Sequence, residues 1–480
     1  MKARILAPEN RKWWTLGAVA FALFMIMLDN TVANVALPSI QRELGIGISE
    51  LEWTVNAYAL TFAVLMLTGG KLADLLGRRK VFLAGLAVFT LSSLVCGLAT
   101  SGGMLIAART VQGAGAALML PATLSIISAT FHARERGLAI GIWAGVSAMA
   151  LAIGPLVGGL LTEHINWSWI FFVNVPVGAL GAVVGRLVIR ESRDTSANQR
   201  LDLPGLVTSA GALFALTFAL IEASRYGWTS PTILGLFAVA AVGLVAFVLL
   251  ELHQRAPMLD LSLFKSGTFA GANVTALLVT LAMFGVFFFM SLYVQQILGY
   301  SPVKAGAIFL PMTVLIILVA PPAGKLSDRV GSRWPMATGM SLLGVSLLIF
   351  SRLGLHSDFT NLLPGLVIGG FGMAITMTPM TAAAIGSVPV AKSGVGSGVL
   401  NTFRQVGGAL GIAVMGAIMT SHQSNALAGG ATRPEAFLDG FSTALKVGAA
   451  FAFVGAAVAA VTVRKYRHVE RGEVSEPAAA

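Results

Sequence analysis

Charged residues are scarce in this chain. Asp, Glu, Lys and Arg make up 11% of its 480 residues, and hydrophobic residues make up 56%. About a quarter of the residues in a soluble globular protein are charged, and the mean hydropathy of this chain is +0.82. The composition therefore excludes an ordinary soluble domain and indicates an integral membrane protein.

Cysteine, metal-ligand clusters and nucleotide-binding motifs are also lacking. The single cysteine, Cys96, cannot form an intramolecular disulfide and lies in an apolar run, where we expect a small buried residue. The sequence has no metal-ligand cluster, no GxxxxGKS/T phosphate loop and no nucleophile with a general base at a recognisable spacing. These absences argue against an enzyme, a metal site, a cofactor and ATP-driven transport.

Long apolar runs dominate what is present. Each reaches the roughly 20 residues that a helix needs to cross a membrane, without the alternation of membrane β-strands. We therefore predict an all-α integral membrane fold with about fourteen spans. The predicted spans are residues 14–37, 50–69, 81–99, 104–127, 137–161, 169–189, 204–223, 231–252, 270–292, 303–323, 336–353, 361–384, 394–419 and 442–463.

A charged ten-residue phrase occurs twice and predicts two related membrane halves. The copies start at residues 70 and 324, which are 254 residues apart. Similar loops belong on the same side of the membrane, so an even number of spans separates them. Eight spans of about 32 residues fit this distance better than six of about 42. Eight spans require one extra pair, which we place at residues 203–252.

Each phrase carries an acid near a helix end with arginine close by. We predict that these charges form ion pairs that break during a conformational change; the alternative is that they only set the topology. The residues concerned are Gly70, Asp74, Gly77 and Arg78 in the first copy and Gly324, Asp328, Gly331 and Arg333 in the second. Ser332 replaces the charge that Arg78 supplies.

The net charge of +11 reports orientation, and we expect no nucleic-acid partner. Lys and Arg concentrate in alternate loops, and positively charged loops remain in the cytoplasm. We therefore predict a multi-pass protein of the cytoplasmic (inner) membrane with both termini in the cytoplasm.

Asp29 is the acid that the sequence places deep in a span. A carboxylate there costs about 2.5–3.5 kcal/mol, so it is a functional candidate by default. Arg109 lies at a similar depth, and we expect a pair with Asp29, either direct or through Gln112. The alternatives are a static ion pair that only holds helices together and an Arg109 side chain that reaches the membrane interface.

The fifth span is rich in small residues and contains a proline. These residues are Gly145, Gly154, Pro155, Gly158 and Gly159. They allow either close helix contact or a hinge, because small side chains let backbones approach and proline permits a bend. Arg404 lies deep in a later span without an intramembrane carboxylate; it lines a cavity or binds backbone carbonyls.

Six motifs in this order resemble the major facilitator superfamily, and within it the fourteen-span drug:proton antiporters. The resemblance extends over almost the whole chain. The motifs are residues 28–38, 70–80, 109–113, 154–159, 167–176 and 401–408.

The resemblance implies a fold of two six-helix bundles with two extra central helices between them. The expected divisions are residues 1–190 for the N-terminal bundle, 191–268 for the extra helices and linkers, 269–463 for the C-terminal bundle and 464–480 for a cytoplasmic tail. Asp29 would bind the proton, and Arg109 and Gln112 would tune it. The proton gradient would drive export of lipophilic or cationic drugs and other small organic molecules by alternating access.

Substrate choice is left open by the sequence. Candidate cavity residues are Asn34, Tyr58, Trp143, Phe172 and Arg404. One alternative is a dedicated exporter of a single endogenous metabolite, siderophore, antibiotic or lipid; another is a receptor or scaffold on the same fold. We expect a functional monomer in the lipid bilayer, and the need for a periplasmic adaptor protein is open.

Overall fold

The computed structural model describes residues 8–193, 202–254, 257, 259–388 and 393–464. Within these ranges the chain is helical and contains no β-strand. In chain order the helices are α1 (Pro8–Leu44), α2 (Ile48–Leu76), α3 (Arg78–Gly97), α4 (Gly102–Thr130), α5 (Ala133–His164), α6 (Trp169–Phe172), α7 (Asn174–Val188), α8 (Leu203–Tyr226), α9 (Pro231–His253), α10 (Gly267–Leu292), α11 (Pro302–Ala307), α12 (Leu310–Val330), α13 (Arg333–Phe350), α14 (Phe359–Gly386), α15 (Ser393–Ala428) and α16 (Arg433–Thr462).

Thirteen helices in the described part are long and apolar enough to cross a membrane. Two of them are composite, because α6 continues into α7 and α11 into α12. Helix α5 is 32 residues long and is joined to its neighbours by short turns, so we count it as the fourteenth span. The all-helical membrane fold is confirmed, and α8 and α9 are the predicted extra pair.

Several helices extend beyond the predicted spans. Helix α1 has 37 residues and is therefore about 55 Å long, against a hydrocarbon core of about 30 Å. Its apolar run ends near Pro38, but the helix continues to Leu44. Hydropathy locates the part of a helix that lies in the membrane, whereas the backbone hydrogen bonds continue past it.

The two charged phrases occupy equivalent turns. Gly77 ends α2 with φ +114°, and Gly331 ends α12 with φ +87°. Each donates its backbone N–H to the carbonyl four residues earlier, Ala73 or Ser327. Glycine occurs at both positions because other residues rarely adopt positive φ. Eight membrane crossings separate the turns, as predicted.

The two halves repeat one packing scheme. In the first half α1 packs on α5, and both α2 and α3 pack on α4. In the second half α10 packs on α15, and both α12 and α13 pack on α14. Between the halves, α2 contacts α15 and α5 contacts α11. Helix α8 lies against both α2 and α15, so the extra pair adjoins one of these junctions.

The halves are hydrogen-bonded at the face opposite to the start of α1 and the end of α16, which we call the opposite face. There Gln295 donates to the carbonyl of Val35 at 2.9 Å, and Gln296 donates to Gln41 at 2.7 Å. These bonds join α1 to the short helical segment Tyr293–Ile297, which follows α10. The structure is therefore closed between the halves at the opposite face.

Helices α5 and α11 also meet at the opposite face, through backbone contacts. Gly306 lies against the carbonyl of Pro155, and Gly159 lies against the backbone of α11. A Cβ atom on either glycine would overlap the facing backbone. The N–H of Val303 donates to Glu163 at 2.8 Å. Small residues thus permit the close contact between the halves.

We predict that Gly306→Val opens the opposite face. Overpacking a tight contact costs about 1–3 kcal/mol, and this cost applies only while α5 and α11 touch. Cysteines that replace Gln41 and Gln296, in a Cys96→Ala background, should be joined less efficiently by a short bifunctional thiol reagent. Gly235→Val is the control, because a Cβ there meets nothing within 4 Å. Equal cross-linking in the two variants would contradict the prediction.

Candidate functional site

Asp29 lies in the interior of the first half. Its side chain is 1% exposed, and Arg109 from α4 donates to Oδ2 through Nη1 at 2.5 Å. Oδ1 accepts hydrogen bonds from Gln112 at 3.0 Å and from Asn174 at 3.3 Å. The predicted pair is present both directly and through Gln112. We call these residues the Asp29 site.

The guanidinium of Arg109 is surrounded by polar and aromatic partners. Besides the carboxylate, Nη1 contacts Gln112 Oε1 at 2.7 Å, and Nε donates to the carbonyl of Thr54 on α2 at 3.2 Å. The guanidinium lies over the ring of Tyr58 at 4.2 Å and near that of Phe171 at 5.6 Å. With 1% of its surface exposed, Arg109 does not reach the membrane interface, and that alternative is wrong.

Sequence reasoning missed Asn174 as a partner of the acid. Asn174 begins α7, and its amide also donates to Ser93 Oγ at 3.0 Å. Ser93 in turn donates to the carbonyl of Phe171 at 2.9 Å. Asn174 lies inside one of the motifs named above, and a buried amide in an apolar run was the available signal. The first half therefore contributes residues from six helices, α1–α4, α6 and α7, to one polar network.

The small residues of α5 pack against the helix that carries the acid. Gly154 and Gly158 lie against Thr31 and Val32, two and three residues past the carboxyl-bearing position. A Cβ at either glycine would overlap α1. Gly145, nearer the other end of α5, has open space around it. The motif thus serves close packing on α1 as well as on α11.

Three of the five predicted cavity residues lie on α1, α2 and α5 of the first half. Tyr58 is fully buried and stacks on the guanidinium. Asn34 is also buried and donates to the carbonyl of Asn30 at 3.3 Å. The indole of Trp143 donates to Thr123 at 3.1 Å. Their roles in binding a substrate stay predictions.

The other two lie on α6 of the first half and on α15 of the second half. The ring of Phe172 fills the space beside Gly97 on α3. Arg404 on α15 donates from Nη2 to Thr381 at 2.9 Å, while its Nε makes no hydrogen bond within the described residues. A cavity of about 470 Å³ opens at the opposite face and is lined by other residues. The cavity assignment for Phe172 and Arg404 therefore also stays a prediction.

The first charged phrase forms the expected ion pair. Arg78 donates from Nε and Nη2 to Asp74 at 3.1 and 3.0 Å, and Nη1 reaches the carbonyl of Ser125 on α4 at 3.5 Å. The N–H of Arg79 donates to Glu191, past the end of α7, at 3.0 Å. The turn is thereby tied to two neighbouring helices of the same half.

The second phrase is built differently. Ser332, which replaces the arginine, shares a hydrogen bond of 2.8 Å with Ser327. The guanidinium of Arg333 lies over the ring of Trp334 at 5.0 Å. The side chain of Asp328 lies outside the described residues. A role of either phrase in gating stays a prediction.

Comparison with known proteins identifies the family. A family profile described as Major Facilitator Superfamily matches residues 19–412 and 273–478. The multidrug resistance protein Stp of Mycobacterium tuberculosis is 39% identical over 416 residues, which are 86% of this chain and 77% of that protein. The puromycin resistance protein pur8 of Streptomyces alboniger is 36% identical over 450 residues, 93% of this chain and 89% of that protein.

A further relative and two solved structures agree. The tetracenomycin C resistance and export protein of Streptomyces glaucescens is 36% identical over 413 residues, 86% of this chain and 77% of that protein. A bacterial homologue of the human lysosomal transporter Spinster, inward-facing and unoccupied, has a TM-score of 0.67 at 18% identity and covers 95% of this chain and 97% of its own. An auto-inhibited POT family peptide transporter has a TM-score of 0.68 at 16% identity, and the match covers 98% of this chain and 99% of that transporter. At these identities the structures show the fold alone.

The geometry of the Asp29 site predicts strong coupling between its two charges. Asp29→Asn and Arg109→Gln should each destabilise the protein, because removal of one partner of a buried pair costs about 3–5 kcal/mol. The double variant leaves no unpaired charge. Its loss of stability should therefore be smaller than the sum of the losses of the two single variants. Thermal unfolding in detergent measures this cycle, and Asp439→Asn, at an exposed pair, is the control. Additive losses would contradict the prediction.

Proposed function

The chain belongs to the major facilitator superfamily, and we propose that it is a proton-coupled exporter of small organic molecules. The observation that carries this proposal is the buried Asp29 carboxylate, bound by Arg109, Gln112 and Asn174. The carboxylate of Asp29 can take up and release a proton while its helix stays in the membrane interior. We propose that Asp29 is the proton carrier.

Proton uptake by Asp29 would change the balance of charge in the site. The ionised pair is neutral as a whole, whereas protonation leaves the guanidinium of Arg109 buried without a counter-charge. An uncompensated buried charge costs several kcal/mol. Protonation is therefore stable only if the surrounding helices rearrange, and this requirement links the proton to the conformation of the protein.

The contacts of α1 give that rearrangement a route to the opposite face. Just past Asp29, Thr31 and Val32 lie against the glycines of α5. On its other side α5 contacts α11 of the second half, where Gly306 meets Pro155. A shift of α1 that follows proton binding would thus move the contact that closes the opposite face. We propose that this chain of backbone contacts couples proton uptake to opening.

The distribution of Lys and Arg supports an orientation with both termini in the cytoplasm, which makes the opposite face the outer one. Protons would then enter from outside as the substrate leaves, with the proton gradient as the energy source. The membrane potential contributes about 2.3 kcal/mol per charge per 100 mV. We propose the cytoplasmic membrane as the location and a monomer as the working unit.

The relatives support drugs or antibiotics as the substrate class. One is named for multidrug resistance, and others are named for a single compound, puromycin or tetracenomycin C. The single-compound names favour a second candidate function, export of one chemical class. We propose export of several unrelated compounds as the first candidate. Such export requires a binding cavity with apolar and aromatic walls, and it does not require a dedicated set of hydrogen bonds.

Replacement of the proton carrier tests the proposal. Asp29→Asn should abolish export driven by a pH gradient in proteoliposomes, because the amide cannot exchange a proton, while the protein still inserts into the membrane. Ethidium and puromycin serve as probes, and Asp439→Asn is the control because its carboxylate is exposed. Undiminished proton-driven export by the Asp29 variant would refute the assignment.

A compound panel separates the two substrate classes. A strain that lacks the gene should become sensitive to several unrelated lipophilic or cationic compounds, because binding through apolar area tolerates different shapes. Growth inhibition with and without a plasmid copy measures this. Sensitivity confined to one chemical class would favour the dedicated exporter.

A further inference from the structure

Glu52 is a second acid buried between the two halves. The sequence places it at a span end, and the structure agrees, since it lies four residues into α2. It is nevertheless 1% exposed. Its carboxyl group fills the space in which a Cβ on Gly416 of α15 would lie. This acid therefore occupies the junction of α2 and α15, on the side of the opposite face.

The extra helix α8 covers the same junction. The ring of Trp53 contacts those of Phe214 and Phe218 at 5.7 and 5.9 Å. Glu222, one turn past Phe218 on α8, is 7% exposed. Three helices, one from each part of the chain, thus enclose two acids.

The surroundings of Glu52 do not compensate a negative charge. Within the described residues Oε1 makes no hydrogen bond, and neither does the buried amide of Asn56 one turn along α2. Arg225 approaches Glu222 at 3.9 Å, but its side chain is 75% exposed. A buried ion without a partner is costly, whereas the neutral acid is tolerated. The closed junction therefore favours the protonated carboxyl over the carboxylate.

The remaining charges near α2 are engaged or distant from this junction. Glu50, on α2 itself, is exposed and accepts a hydrogen bond from Gly47 at 2.9 Å. Arg109 is bound to Asp29. The titratable groups on the described parts of the helices that pack against α2, towards the opposite face, are Asp29, Arg42 and Glu43 on α1, Cys96 on α3, Arg109 on α4, Glu222, Arg225 and Tyr226 on α8, and His422 on α15.

We propose that Glu52 is a proton-operated latch of the opposite face: it carries a proton while α2 and α15 are in contact, and it releases that proton to water when they separate. The O–H bond of the carboxyl breaks and the proton passes to water that enters the opened junction. Because superfamily members alternate by rocking one half against the other, this junction separates in each cycle. The latch is independent of Asp29 and of the substrate.

The sign of the effect follows from the closed state. Protonated Glu52 fits the contact with Gly416, and ionised Glu52 requires water. Acid at the opposite face therefore favours closure, and rising pH favours separation. In the proposed orientation the more acidic outer side would promote return of the exporter to its closed form after the substrate has left.

Infrared spectroscopy of the purified protein tests whether Glu52 carries the proton. The wild type should show the band of a protonated carboxyl at neutral pH, and Glu52→Gln should lose it. Glu50→Gln and Glu222→Gln should keep it. If the Gln variant does not fold, Gly416→Ala retains both acids, places a methyl group where the carboxyl lies and should also lose the band. A band that survives in both variants, or that disappears with Glu222→Gln alone, would overturn the proposal.

Cross-linking tests whether the proton controls closure. With cysteines in place of Gln41 and Gln296, the yield relative to that of Glu52→Gln should fall as the pH rises, because the ionised acid separates the halves. In Glu52→Gln the yield should follow only the reactivity of the thiols, which react as thiolates, whereas Glu50→Gln should behave like the wild type. The same pH dependence with and without Glu52 would overturn the proposal. Neither assay requires transport, so failure of the latch and failure of the export function are distinguishable.

Discussion

The ion pair between Asp29 and Arg109 is the interaction on which the rest of the first half depends. Both side chains are 1% exposed, and in a bilayer such charges persist only when each has a partner. Gln112, Asn174 and the carbonyl of Thr54 complete the set. The first half is therefore arranged so that one titratable carboxyl has its charge cancelled inside the membrane.

Small residues allow the close helix contacts that connect the Asp29 site to the junctions between the halves. Glycines on α5 bring it against α1 on one side and against α11 on the other, and Gly416 admits the carboxyl of Glu52 between α2 and α15. The two junctions are related by the repeat, since α5 and α15 are equivalent helices and each meets the second span of the other half. Helix α8 of the extra pair lies at the junction of α2 and α15. The two junctions therefore have different surroundings.

The sequence predicted the fold because the pattern of apolar runs and the repeated phrase both act over long distances. The count of fourteen spans, the extra pair and the contact of Asp29 with Arg109 followed from spacing and depth. Asn174 and Glu52 were not identified as site residues, because burial of a polar group at a span end depends on which neighbouring helix covers it. Helix ends were also misplaced, since hydrogen bonding continues beyond the apolar run, as at Leu44.

The central claim is that Asp29 exchanges a proton for the exported compound. The most direct test is the proton release that accompanies binding of puromycin or ethidium to the purified protein in weakly buffered solution. If proton and substrate exclude one another, the wild type should release protons on binding and Asp29→Asn should bind without this release. Equal proton release by the two proteins would contradict the account.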